Sequence, residues 1–300
     1  MGDKLNEGAG QREDRRLFCF GYGFSAAELG QRLQAKGWRV AGTARSAEKC
    51  RALAARGIEA YIFDRDHPLD PSVLAGATHI LSSVPPDEAG DPVLDGHCAD
   101  LQRLTPHWVG YLSTTGVYGD HQGGWVDEST PLTPAGPRQA RRVAAEAAWQ
   151  ALGLPLHRFR LAGIYGPHRS AIETVRSGRA QRVVKPGQVF ARIHVSDIAS
   201  ALSQSIARPN PGAVYNLADD EPAPPQDVIA YACRLLGVEP PPEIPFEAAD
   251  LSPMARSFYG ESKRVSNRRL RDELGVTLAY PTYREGLAQC LSAVAGADRG

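Results

Sequence analysis

The sequence predicts an α/β protein built on a doubly wound parallel sheet, and three observations carry that expectation. A short apolar run, Leu17-Phe18-Cys19-Phe20, breaks into Gly21-Tyr22-Gly23-Phe24-Ser25-Ala26 and then into a helix-like stretch, Ala27 to Lys36. Strand-like and helix-like segments alternate from Leu17 onward, the rhythm of βαβ units with helices on both faces of a sheet. Ser46 stands where a helix N-cap belongs, and Gly37 and Gly57 stand where a glycine follows a helix.

In chain order, strands are expected at 16–20, 38–43, 58–63, 78–84 and 108–113, with helices at 25–36, 46–56 and about 92–104. A long polar loop, 119–137, leads to an alanine-rich helix over 138–152 and a strand at 156–162. Beyond Gly166 the pattern loosens. Helices are expected at 171–178, 196–207, 225–236, 264–274 and 282–295, and short strands at 189–193 and 213–217, interrupted by proline-rich connectors at 222–225 and 240–245. The arginine-rich 264–271 stretch, next to Asp272 and Glu273, reads as a solvated helix face. This divides the chain into a disordered tail (1–15), a dinucleotide-binding core (16–165), and a region (166–300) where the last core strands interleave with a smaller substrate-binding lobe.

Lys plus Arg balances Asp plus Glu at 34 each, so no summed field favours nucleic acid or an anionic membrane. A small-molecule substrate is the expected partner, with the chain a monomer or homodimer. The five cysteines (Cys19, Cys50, Cys98, Cys233, Cys290) are scattered and form no Cys-x-x-Cys pair, which argues against a disulfide framework or a metal site and for a cytoplasmic protein. No apolar run approaches the roughly 18 residues of a membrane span. Residues 1–16 hold no apolar signal region, and Asn6 stands where a myristoylation signal needs Ser or Thr.

The Gly21-x-Gly23-x-x-Ala26 turn has a stated chemistry. Gly21 permits the tight turn out of the strand, Gly23 lets the backbone approach a pyrophosphate, and Ala26 allows helix and strand to pack closely, with Phe24 and Ser25 opening the helix whose N-terminus attracts phosphate. After the second strand comes Gly42-Thr43-Ala44-Arg45, without the acid that binds an NAD ribose hydroxyl. Arg45 offers a planar fork suited to a 2′-phosphate, so NADP(H) is favoured over NAD(H), the alternative being an ordinary surface arginine. Asp64, after the third strand, is either an acceptor for the adenine amino group or a common acidic loop residue. Val84 and Pro85, closing the 78–84 strand, complete the cofactor-binding candidates on this side.

Six motifs follow one another in order: Gly21-x-Gly23-x-x-Ala26, Ser113-Thr-Thr-Gly-Val-Tyr-Gly119, Asp127-Glu-Ser-Thr-Pro131, Gly163-Ile-Tyr-Gly-Pro167, Arg192-Ile-His-Val-Ser-Asp-Ile-Ala199 and Tyr215-Asn-Leu-Ala218. Together they resemble the NAD-dependent epimerase/dehydratase family, the extended branch of the short-chain dehydrogenase/reductase superfamily. The resemblance implies a Rossmann core that binds NAD(P) and a smaller C-terminal lobe for substrate. It also assigns Thr114 the hydroxyl that contacts a substrate carbonyl or alcohol, against the plainer reading of a residue that ends a strand and bonds backbone.

The chain departs from the family at the reacting pair. A Tyr-x-x-x-Lys is expected on the helix after the fifth strand, but counting back from Glu146 reaches Arg142 and Arg138. Arginine stays protonated and cannot exchange a proton near neutrality, although Arg142 retains the donors to bond a nicotinamide ribose. A second Tyr-x-x-x-Lys, Tyr259 to Lys263, lies over a hundred residues downstream, where it is a reacting pair out of its usual place, a segment whose Lys263 contacts substrate, or coincidence.

Tyr118 and His194 remain candidates for proton transfer, along with Tyr165 and His168, while Arg169 and Arg192 are candidates for substrate binding. If they converge, the pocket suits a carboxylate or phosphate. His194 has a plainer reading as a residue bonding backbone at a helix start. The sequence therefore reads as an atypical extended dehydrogenase/reductase performing oxidoreduction or epimerisation on a small or sugar-like substrate. The alternative is a catalytically silent NADP(H)-binding sensor.

Overall fold

The computed structural model describes residues 15–297. Strand β1 (Arg16–Phe20) is buried along its whole length, as expected of a continuous apolar run in a parallel sheet covered on both faces. Helix α1 (Phe24–Gln34) returns the chain to β2 (Arg39–Ala44), and α2 (Ala47–Ala54) returns it to β3 (Glu59–Ile62). Ser46 caps α2 by accepting the Lys49 N–H at 3.2 Å, and Gly37 and Gly57 follow their helices at φ +81° and +74°. Next come β4 (His79–Ser82), α3 (Pro92–Arg103) and β5 (Trp108–Thr114).

The 119–137 loop is not wholly irregular: it holds β6 (Trp125–Val126). Helix α4 (Pro137–Ala151) leads to β7 (Leu156–Leu161) and β8 (Gly163–Tyr165). Then follow α5 (Ala171–Arg176), β9 (Arg182–Val184), β10 (Arg192–His194), α6 (Val195–Ala207), β11 (Val214–Leu217), α7 (Pro225–Leu236), β12 (Glu243–Pro245), α8 (Pro253–Phe258), β13 (Arg264–Val265), α9 (Arg268–Asp272) and α10 (Tyr283–Ala297).

The expected doubly wound sheet is present: seven parallel strands in the order β11-β7-β5-β4-β1-β2-β3. Three two-stranded ladders accompany it, β10 with β8, β12 with β9 and β13 with β6. Two expectations shift. The strand expected at 189–193 lies at Arg192–His194, and the helix expected over 264–274 begins only at Arg268, because Arg264 and Val265 pair with Trp125 and Val126. Helix propensity over that charged stretch yields to tertiary pairing. The tail expected to be disordered lies outside the described residues except for Arg15, whose carbonyl accepts the Arg39 N–H at 3.0 Å.

Two compact units emerge, neither a single stretch of chain. One comprises the described part of Met1–Leu112 with Ala144–Arg158 and Pro209–Ala213; the other comprises Ser113–Val143, Phe159–Arg208 and the described part of Val214–Gly300. The first has a core of Phe18, Phe20, Ile80, Val109, Tyr111 and Trp149. Asp91 organises it twice, capping α3 through the Val93 N–H at 2.9 Å and accepting the Trp149 indole N–H at 2.9 Å. Arg16, buried at the start of β1, donates to the carbonyls of Val73 and Ala75 and pairs with Glu59 at 2.8 Å. The second unit has its own cluster of Tyr165, Ile172, Val228, Tyr283, Leu287 and Cys290. No helix among the described residues is long and apolar enough to cross a membrane.

Candidate functional site

The glycine turn is held from two strands. Gly21 leaves β1 at φ +82°, where a side chain would be strained, and a Cβ there would stand 2.8 Å from Ser83 Oγ and 3.3 Å from Val84 Cγ2. Its N–H donates to Thr43 Oγ1 at 2.8 Å, and its carbonyl accepts the Ser83 hydroxyl at 2.6 Å. The Tyr22 N–H donates to the Thr43 carbonyl at 2.7 Å. Thr43 thus fixes the turn through side chain and backbone together, and Val84 lies beside it.

Gly23 is the N-cap of α1, with no side chain capping the helix and no acid in its first turn. A Cβ on Gly23 would meet nothing within 4 Å. The orphan N–H groups of the helix start therefore open onto unfilled space, which fits a pyrophosphate. Ser25 and Ala26 are buried behind this opening while Phe24 is half-buried. Tyr22 has a role that no motif announces: its ring fills a slot between α1 and β2, where a Cβ on Gly30 would lie 2.1 Å from its hydroxyl and one on Gly42 2.7 Å from Cδ2. Those two glycines are the only available signal, and nothing in the chain pairs them with Tyr22.

Arg45 is exposed at the end of β2. Pro85 is exposed beyond β4. The Asp64 carboxylate is engaged in its own loop, accepting from His67 Nδ1 at 2.7 Å and from the N–H groups of Asp66 and His67, each at 3.0 Å. The His67 bond, aided by these backbone donors, holds it below the usual carboxylate range.

Thr114, at the end of β5, starts a single 3₁₀ turn by accepting the Gly116 N–H at 3.1 Å. The backbone reading of this residue is therefore correct as far as it goes, and the hydroxyl still has its own proton to donate. Tyr118 closes the same turn fully buried, donating to Asn216 Oδ1 at 2.7 Å and accepting from Arg160 Nη1 at 3.0 Å. Burial raises its pKa against the opposing pull of Arg160. Its hydroxyl serves the interior of the lobe, which removes it from the expected proton donors.

On α4, Arg138 is exposed with its guanidinium 4.9 Å over the Phe258 ring, and Arg142 is half-buried one turn later. Between them Gln139 faces the Thr114 turn: a Cβ added to Gly116 would lie 3.4 Å from both Gln139 Cγ and Thr114 Oγ1. Gln139 Nε2 donates to Glu261 Oε1 at 2.7 Å, and Lys263 Nζ donates to Glu261 Oε2 at 2.6 Å. The downstream Tyr-x-x-x-Lys therefore comes to the first turn of α4. Lys263 is 8% exposed, whereas the Tyr259 ring packs with Phe190 and Phe246. Gln139 escaped the sequence reading because it stands in no recognisable motif, and Glu261 because it fills a variable position between Tyr259 and Lys263.

His194 is buried and caps α6, its Nδ1 accepting the Ser196 N–H at 3.2 Å, while its ring packs on Tyr165 and Tyr280. The plainer sequence reading describes that geometry. Arg192 Nη1 donates to the carbonyls of Phe190 at 2.8 Å and Ala223 at 3.1 Å. Beside it Asp219 is 2% exposed, with both carboxylate oxygens buried. Burial pushes its pKa up to about 8, with Arg192 and the Glu221 N–H opposing and the charges of Asp220 and Glu221 reinforcing. Arg169 and His168 are exposed in the turn after β8, His168 at φ +62°.

No family model matches the chain. A solved protein of unknown function from Silicibacter pomeroyi DSS is 52% identical, with a TM-score of 0.88 over 93% of this chain and 98% of that one. Protein YeeZ of Escherichia coli K12 is 28% identical over 89% of this chain and 97% of its own length. A dTDP-glucose 4,6-dehydratase of Xanthomonas campestris pv. campestris is also 28% identical, over 60% of this chain and 55% of its own. MoeE5, solved with UDP-glucose and NAD, shares the fold at 21% identity, with a TM-score of 0.74 over 94% of this chain and 99% of that one. With the ordered motifs and the seven-stranded sheet, these likenesses make the chain similar in sequence and fold to the NAD-dependent epimerase/dehydratases, of which a solved putative member from Methylobacillus flagellatus is 26% identical, with a TM-score of 0.74 over 94% of this chain and 99% of that one.

Proposed function

We propose that the chain binds a nicotinamide dinucleotide, NADP(H) in preference to NAD(H), and uses it in oxidoreduction or epimerisation of a small or sugar-like substrate. The observation that carries this reading is the uncapped start of α1: a glycine N-cap facing unfilled space, behind a turn fixed by Thr43 and Ser83. Gly21, Gly23 and the α1 N-terminus would hold the pyrophosphate, and Arg45 the 2′-phosphate. The bound group would supply or accept hydride. Thr114 would orient the reacting oxygen through its hydroxyl proton. The complexes of MoeE5 with NAD and a sugar nucleotide support the cofactor and substrate classes.

The test is a screen for NADPH oxidation against carbonyl compounds, including 4-keto sugar nucleotides. Saturable turnover, reduced about ten- to a thousandfold by Thr114→Val with cofactor affinity kept, supports the reading. A second reading, a silent NADP(H) sensor, is supported by the count back from Glu146, which reaches Arg142 and Arg138 where the resemblance calls for Lys and Tyr, and by the stacking of Arg138 on Phe258. NADPH binding without turnover, with a partner that binds one redox form alone, selects it.

A further inference from the structure

We propose that Lys263, gripped by Glu261 and linked through Gln139 to the Thr114 turn, is a catalytic residue that holds and transfers the proton of the reacting substrate oxygen. The inference rests on the proposed redox function and names the group that does what α4 lacks a tyrosine to do.

Four observations converge. First, the ion pair is built into the lobe, at 2.6 Å with side chains only 10% and 11% exposed. Burying such a pair costs desolvation that its Coulomb attraction barely repays, so stability alone is a weak reason for it. Second, Lys263 has three donors and, among the described residues, one hydrogen bond, to Glu261. Two donor positions remain for a ligand oxygen.

Third, the segment is fixed rather than loose. The Ser262 N–H donates to Asp120 at 2.7 Å, its carbonyl accepts from His121 at 3.1 Å and Gly123 at 2.9 Å, and its hydroxyl bonds Gly187 and Val189. Gln188 Nε2 donates to the Glu261 carbonyl at 2.6 Å, and Lys185 donates to the Tyr259 carbonyl. Such anchoring on both sides is what a preorganised reacting group requires. Fourth, Gln139 joins the pair to the turn that carries Thr114, since both side chains close over Gly116.

In the reducing direction Lys263 gives an ammonium proton to the carbonyl oxygen while the carbonyl carbon accepts hydride from a reduced nicotinamide dinucleotide. One N–H bond breaks, one O–H bond forms, the carbonyl π pair becomes the new oxygen lone pair that takes the proton, and the neutral amine regains a proton from solvent. In the oxidising direction the amine takes the alcohol proton as hydride leaves.

The decisive experiment needs no turnover. The full-length protein is treated with formaldehyde and cyanoborohydride under native conditions, and methylation is read at each lysine by peptide mass. If Lys263 faces ligand space, it is methylated within about tenfold of the rate at exposed Lys36 and Lys49; if it is sealed in its ion pair, it reacts only through local opening, more than about a hundredfold slower, and the proposal falls. Where the screen above finds a substrate, Lys263→Met should lower kcat by about 10²- to 10⁴-fold with NADPH affinity unchanged, and Lys263→Arg should not restore it, because a guanidinium does not release its proton. Full activity in Lys263→Met also overturns the proposal. Failure to bind NADPH would instead remove the redox reading itself, and calorimetry reports that separately.

Discussion

Thr43 Oγ1 accepts the N–H of Gly21 at 2.8 Å, tying the end of β2 to the turn that leaves β1. The Thr43 carbonyl takes the next N–H, that of Tyr22, so one residue sets the path of two consecutive peptides. Replacing Thr43 by Val keeps the shape and leaves the Gly21 N–H without this acceptor. The expected cost is about 1–3 kcal/mol of stability with weakened NADPH binding, measured by denaturant titration and calorimetry. An unchanged stability and affinity would show that the turn holds without it.

The Tyr22 slot predicts an overpacking effect. A methyl at Gly30 would stand 2.1 Å from the Tyr22 hydroxyl, so Gly30→Ala should destabilise by about 1–3 kcal/mol. Tyr22→Phe in the same background should recover part of this loss, and a double-mutant cycle with no coupling would contradict the packing described.

Tyr118→Phe separates a buried structural hydroxyl from a reacting one. Removing it leaves Arg160 and Asn216 each short of a partner, so the melting temperature should fall by the equivalent of about 1–3 kcal/mol. Turnover per folded molecule should remain within a few fold. A large kcat loss with unchanged stability would return Tyr118 to the reacting groups.

Asp219 predicts a pH dependence. Its pKa is raised from 3.8 to about 8 on folding, so between these values the folded state binds the additional proton and stability falls as pH rises, by up to about 1.4 kcal/mol per unit. His79 works the other way: burial lowers its pKa from 6.5 to about 4, and stability falls as pH drops through that window. The two oppose each other below 6.5. The clean comparison is therefore Asp219→Asn against the parent from pH 6.5 to 8, where the variant should lose most of the decline. Parallel curves would mean that Asp219 is ionised throughout.

Much of the first unit was legible because its signals are local. A backbone turn at positive φ requires glycine, Ser46 caps within three residues, and β1 is an uninterrupted apolar run. The Tyr22 slot was not legible, since it joins three residues through packing alone. The placement of Tyr259 to Lys263 was hidden for a related reason. It depends on the two-residue pairing of β13 with β6, too short to leave a period, and on Gln139, one position away from where a reacting residue was sought. His194 could be read both ways because His-Val-Ser-Asp suits a helix cap as well as a reacting group, and the Ser196 N–H decides for the cap.

If the glycine turn and Arg45 hold a phosphorylated nicotinamide dinucleotide, calorimetric titration of NADPH and NADH into parent and Arg45→Ala protein will separate the two cofactors. The parent should bind NADPH more tightly than NADH. Loss of one charge-assisted phosphate contact, about 1.5–3 kcal/mol, should weaken NADPH by roughly ten- to 150-fold in the variant while NADH changes little. Equal affinity of the parent for both cofactors would contradict the NADP(H) preference, and no binding of either would contradict the account of the turn itself.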